Sequence, residues 1–153
     1  MTIAREALAL WCAHDQKSVT FDGNVQRKTP GTKVGFLAGT NDPFYLTMQR
    51  GVAQAAADMG VELVVQIPET WNTTAQTPML DAMVARGDLD FLFLAPVDKE
   101  AMVAPLQKAS DPGLPIITND TFIGDGDYAN GPVTFPLSYI GSDNVQGGEI
   151  ACT

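Results

Sequence analysis

The sequence predicts an α/β fold, an open parallel sheet with helices on both faces, and three observations carry that expectation. Short continuous apolar runs recur along the chain, as buried parallel strands require. Segments with apolar residues at steps of three and four separate them, as covering helices require. Gly, Asn, Asp and Pro close each run. Strands and helices in alternation build βαβ units with right-handed crossovers. The chain's 153 residues are one domain's worth, and its 45% hydrophobic fraction is enough for a core. Acidic residues number 18 against 9 basic, a net charge of −9. That balance argues against a nucleic-acid backbone or an anionic membrane surface as partner. No run approaches the ~18 apolar residues of a spanning helix, so no membrane insertion is expected.

Residues 1–32 differ from the rest. A short apolar stretch, Ala7 to Trp11, precedes a polar, turn-rich segment ending in Pro30 and Gly31. It reads as an extension or linker, not as an export signal, which needs a longer apolar core. Val34 to Ala38 is the first strand, closed by Gly39-Thr40-Asn41-Asp42. Asp42 is placed as an N-cap and Pro43 in the first turn of a helix. Phe44, Met48, Val52, Ala55, Ala56 and Met59 form that helix's apolar face, and Gly60 stops it. Val61 to Ile67 is the second strand. Asn72 or Thr73 opens a second helix with Met79, Leu80, Met83 and Val84 as its stripe, and Pro78 either kinks it or marks its start. Phe91 to Ala95 is the third strand, followed by a helix over Lys99 to Ala109 interrupted or shortened by Pro105. Pro115 to Thr118 is the fourth strand, closed by Asn119-Asp120. After a long loop, Leu137 to Ile140 is a short fifth strand, Gly141-Ser142-Asp143-Asn144 a turn and cap, and Val145 to Ala151 the start of a further helix.

In an open parallel sheet, ligands bind beyond the carboxyl ends of the strands. Three polar clusters fall there: Asn41-Asp42 with Phe44-Tyr45, Asn119-Asp120, and Ser142-Asp143-Asn144. Aromatic faces beside carboxylates and amides suit a sugar, whose C–H surface packs on rings while its hydroxyls donate to fixed oxygens. The same residues also serve as a plain cap, a core anchor and ordinary turn residues, and spacing alone leaves both readings open.

Four ordered stretches narrow the choice: KVGFLAGTNDPFYLTMQRGVAQAAADMGVELVV, FLFLAPVDKEAMVAPLQKA, LPIITND and YIGSDNVQGGEIA. In order and spacing the chain from about Lys33 onward resembles the periplasmic sugar-binding proteins of the ribose-binding type, receptors of ABC importers. The resemblance implies a Rossmann-like lobe, one of two joined by a hinge, with a monosaccharide held in the cleft between them and a transporter permease as partner. It implies a periplasmic location and no catalysis. Asp42, Phe44 and Tyr45 would offer hydrogen bonds and a stacking face. Asp120 would bind sugar hydroxyls, beside Asn119, and Gly141, Ser142, Asp143 and Asn144 would form the first hinge strand. Gly147-Gly148 would open the first helix of the other lobe. The expected organisation is thus an extension at 1–32, a first lobe at 33–140, and a hinge with the beginning of that helix at 141–153. The second lobe is missing from the sequence given, so a truncated receptor with weak sugar affinity is expected. Thr121 stands where ribose-type relatives often carry Arg, which argues against ribose itself.

Other motifs carry less. Asp125, Asp127 and Asn130 in GDGDYANG fail the spacing of a calcium loop and read as a solvated turn, so no metal is expected. Gly124 and Gly126 do not extend to a dinucleotide fingerprint, and no cofactor is expected. His14 has no nucleophile at motif spacing. Cys12 and Cys152 form no zinc or redox motif and are expected as two thiols. A receiver-type domain would need Asp after the third strand, where Ala95-Pro96 stands. The alternative function is the effector-sensing domain of a lactose-repressor-type regulator, although residues 1–32 are too polar and weakly basic for a DNA-reading module.

Overall fold

The computed structural model describes residues 31–152. The readings of Cys12, His14 and the extension through Pro30 lie outside the described residues. The elements follow one another as β1 (Lys33–Leu37), α1 (Pro43–Met59), β2 (Glu62–Gln66), α2 (Thr73–Ala85), β3 (Phe91–Leu94), α3 (Val103–Ser110), β4 (Ile116–Asn119), β5 (Ser138–Ile140) and α4 (Asn144–Ala151). All strand pairs are parallel and the sheet order is β2-β1-β3-β4-β5. This is the open parallel α/β architecture that the strand and helix pattern anticipates.

The register sorts the side chains onto two faces. Leu37 lies beside Leu94, and Leu92 beside Ile116. These residues pack with Leu80 and Met83 of α2, Leu106 of α3, and Ile123 and Val133 from the long loop before β5. Each fully buried Leu, Ile or Met contributes about 1.5–3 kcal/mol, so this face holds most of the core. On the opposite face Phe36, Ala38, Tyr45 and Ala95 are buried, with Met48 and Val52 of α1 against them.

Two helix details differ from the sequence expectation, and a third settles an alternative it left open. The inward face of α1 is Tyr45, Met48, Val52 and Ala56, whereas Phe44 and Met59 are exposed. The cap fixes the helix phase: Tyr45 N–H donates to Asp42 Oδ1 (2.9 Å), which turns Tyr45 rather than Phe44 toward the sheet. α3 begins at Val103, because Asp98 Oδ1 accepts from the N–H groups of Glu100 and Ala101 and holds residues 99–102 as turns. Pro105 consequently sits in the first helical turn, where proline is tolerated. Pro78 lies inside α2, where its missing N–H deprives only the exposed Thr74 carbonyl of a partner.

Gln76 of α2, wholly buried, ties the strand ends together. Its Nε2 donates to the carbonyls of Ala38 (3.0 Å) and Ala95 (2.7 Å), and its Oε1 accepts from Val97 N–H (3.1 Å). α4 buries none of its residues, and Val145 and Ile150 are exposed on it. Among the described residues no helix is long and apolar enough to cross a membrane.

Candidate functional site

The loops that follow β1, β2, β4 and β5 meet at the rim where the strands end. After β1 the chain turns through Gly39 to Asp42, whose side chain caps α1. Tyr45, in the first turn of α1, points inward and is only 2% exposed. Its hydroxyl donates to Asp120 Oδ2 at 2.5 Å, 75 residues along the chain. β3 lies between β1 and β4, so this contact spans two strand spacings, about 10 Å. Burial first, then the hydrogen bond to Asp120 and the charges of Asp120 and Asp42, push the Tyr45 hydroxyl far above its ordinary value of 10.0.

Asp120 has φ +63°, in the left-handed region that Asp enters more readily than most residues. Its backbone is held on both sides: its N–H donates to the Ile140 carbonyl (2.7 Å), and its carbonyl accepts from the Tyr139 hydroxyl (2.9 Å). Tyr139 in turn lies edge-on to Phe122, and burial followed by the Asp120 charge raises its hydroxyl above the usual range. The carboxylate is thus aimed by a turn, two backbone bonds and one phenol. Asp120 Oδ1 and the second oxygen of Asp42 keep acceptor capacity for a ligand hydroxyl.

Three rings stand around this pair. Phe44 meets Tyr45 edge-on at 5.1 Å and is 55% exposed. Trp71, from the loop between β2 and α2, stacks on Tyr45 at 5.8 Å and 29°. It lies against Gly39 so closely that a Cβ there would collide with its ring. Asn41 Nδ2 donates to Glu69 Oε2 (3.3 Å) and links the same two loops.

The structure therefore brings Asp42, Phe44, Tyr45 and Asp120 together. Tyr45 is committed to Asp120 and covered by Phe44 and Trp71. Asn119 does not open onto the rim: it is 3% exposed and its amide has no hydrogen-bond partner in the structure. Gly141, Ser142, Asp143 and Asn144 leave β5 at the same rim, and Asp143 caps α4 through Gln146 N–H (2.9 Å). A Cβ at Gly141 would overlap the Tyr139 phenol, so a side chain there would have to displace that ring. Trp71 is the residue that sequence reasoning missed. Its place in a loop at a strand's carboxyl end was the available signal, but it stands outside the polar clusters. Asp125 and Asp127 accept hydrogen bonds from their own loop's N–H groups and serve as turns. Among the described residues no group of three or more His, Cys, Asp or Glu could hold a metal ion.

Residues 35–153 match the family described as periplasmic binding protein domain. The ribose import binding protein of Bacillus subtilis (strain 168) is 26% identical over 129 residues, 84% of this chain and 38% of that protein. The ribose import binding protein of Escherichia coli (strain K12) is 29% identical over 134 residues, 88% of this chain and 41% of that protein. Among solved structures, an ABC transporter solute binding protein from Agrobacterium vitis bound with alpha-D-tagatopyranose is 46% identical with a TM-score of 0.74 over 78% of this chain and 41% of its own. A periplasmic solute binding protein of an ABC transporter from Actinobacillus succinogenes with bound D-allose is 26% identical with a TM-score of 0.68 over 78% of this chain and 41% of its own. The chain spans about two fifths of the length of the relatives it matches.

Proposed function

The chain belongs to the periplasmic binding protein domain family, and from that premise we propose that it supplies one wall of a monosaccharide site in an extracytoplasmic receptor serving an ABC importer. The observation that carries the reading is the Tyr45–Asp120 contact, which joins the loops after the first and fourth strands and fixes a carboxylate beside exposed rings. Asp42 and Asp120 accept from sugar hydroxyls, while an aromatic face packs on the sugar's C–H surface. Residues 141–144 act as the connecting strand through which this wall moves relative to whatever covers the sugar's other side. The role is binding, without bond chemistry. Support comes from the sugars named for the related structures and from the acidic, ring-bearing rim.

A wall touching a sugar from one side leaves the other side in water, so modest affinity is expected from residues 31–152 alone. Titration calorimetry against aldoses and ketoses should give millimolar-range binding, selective among epimers. Asp120→Asn keeps the left-handed turn and an acceptor for Tyr45, yet it should weaken binding at least about tenfold, the worth of a hydrogen bond to a charged acceptor. Phe44→Ala should weaken it further. Unchanged affinity in both variants would remove the site.

A further inference from the structure

Resting on the reading of this rim as a sugar site, we propose that Trp71 is its principal stacking platform and selects ring-closed sugars, pyranoses, over open-chain polyols. Tyr45 cannot offer a ring face, because it is 2% exposed, packed by Trp71 and Phe44, with its hydroxyl on Asp120. Trp71 is 45% exposed although large and apolar. It stacks on Tyr45 and lies against the backbone at Gly39, contacts that fix the indole plane while 45% of the residue stays exposed. The absence of a side chain at Gly39 is what lets the indole lie down on the end of β1. A flat indole stacked on the phenol that holds the Asp120 carboxylate matches a ligand that is apolar on one side and hydroxylated at its edge. A pyranose presents such a C–H face as a rigid unit, whereas an alditol of the same hydroxyl count must give up internal rotations to do so.

The test is saturation-transfer NMR and competition titration on the 153-residue chain with D-allose and D-tagatose, and with allitol and galactitol as their open-chain counterparts. Trp71→Leu keeps apolar bulk over Gly39 and Tyr45 but removes the π-face, and Trp71→Phe restores a ring. Transfer to the pyranose C–H protons should weaken about fivefold in Trp71→Leu and return in Trp71→Phe, with polyol affinity unmoved. Equal losses for sugars and polyols would mean that Trp71 only supports the fold, and undiminished transfer in Trp71→Leu would mean that it does not touch the sugar; either overturns the inference alone. Absence of transfer from the unmodified chain to both sugars overturns the sugar-site reading, and this inference with it.

Discussion

The two ends of the sheet use the same two residue types, Asp and Glu, to opposite purpose. Where the strands begin, carboxylates meet cations: Lys33 Nζ lies 2.8 Å from Asp88 and 3.6 Å from Glu62, and Arg86 Nε lies 3.1 Å from Asp88. Where the strands end, Asp42 accepts from a backbone N–H, Asp120 from a phenol and Glu69 from an amide. Among the described residues none of these three makes an ion pair. Lys99, near the same rim, stands over the Phe122 ring at 5.9 Å instead. A carboxylate matched by a cation is neutralised and spends its oxygens on the fold. One aimed by neutral donors keeps its charge and part of its acceptor capacity, which is what a hydroxylated ligand can use. Net acidity therefore says little about function until the partners of each carboxylate are known.

The contrast breaks most severely at Gln76, which holds the strand ends in place. Gln76→Ala would strand two carbonyls and one N–H in the core and leave a cavity, and a loss of about 3–5 kcal/mol is expected in urea unfolding. A loss below about 1 kcal/mol would show that the strand ends hold themselves. Tyr45→Phe comes next, at about 1 kcal/mol at neutral pH for one hydrogen bond. Its sharper signature lies in alkali. Because the folded-state hydroxyl titrates above its ordinary value of 10.0, its contribution is complete below pH 10 and is lost as pH rises beyond it. The unmodified chain should weaken above pH 10, and the Phe variant should lack that component of the decline.

The smallest effect belongs to the opposite end of the sheet. Hydrogen bonds from Lys33 and Arg86 hold the Asp88 carboxyl below its usual 3.8, so its contribution is present above that value and fades as pH falls through the lowered one. These groups face solvent, where screening is strong. Asp88→Asn should produce a small change that 0.5 M salt erases, and a large, salt-resistant loss would put the two ends on an equal footing.

Much of this architecture was legible from local pattern. The runs Val34 to Ala38 and Phe91 to Ala95 are each one residue from the observed β1 and β3, because a strand buried on both faces must be continuously apolar. Asp42 and Pro43 mark the start of α1 by their own chemistry. The phase of that helix was not legible from spacing: Phe44 and Tyr45 are both aromatic, and the bond from Tyr45 N–H to Asp42 Oδ1, seen only in the folded chain, decides which one turns inward. Gln76 was hidden for a related reason, since its three partners lie on β1 and around β3 and no helical period marks a buried amide. Trp71 looked like a loop residue until the fold set Gly39 beneath it.

The amide that bridges Ala38, Ala95 and Val97 has a mechanical consequence. Fastening the tips of two adjacent strands to one buried side chain of α2 leaves the start of α1 and the Trp71 loop little room to drift apart. On the proposed reading, a docking sugar would meet a surface already set, and association would give up little entropy to arranging it. Movement, on that same reading, would be carried by the sheet and its helices as a unit about the segment after β5, rather than by loops folding inward around the guest.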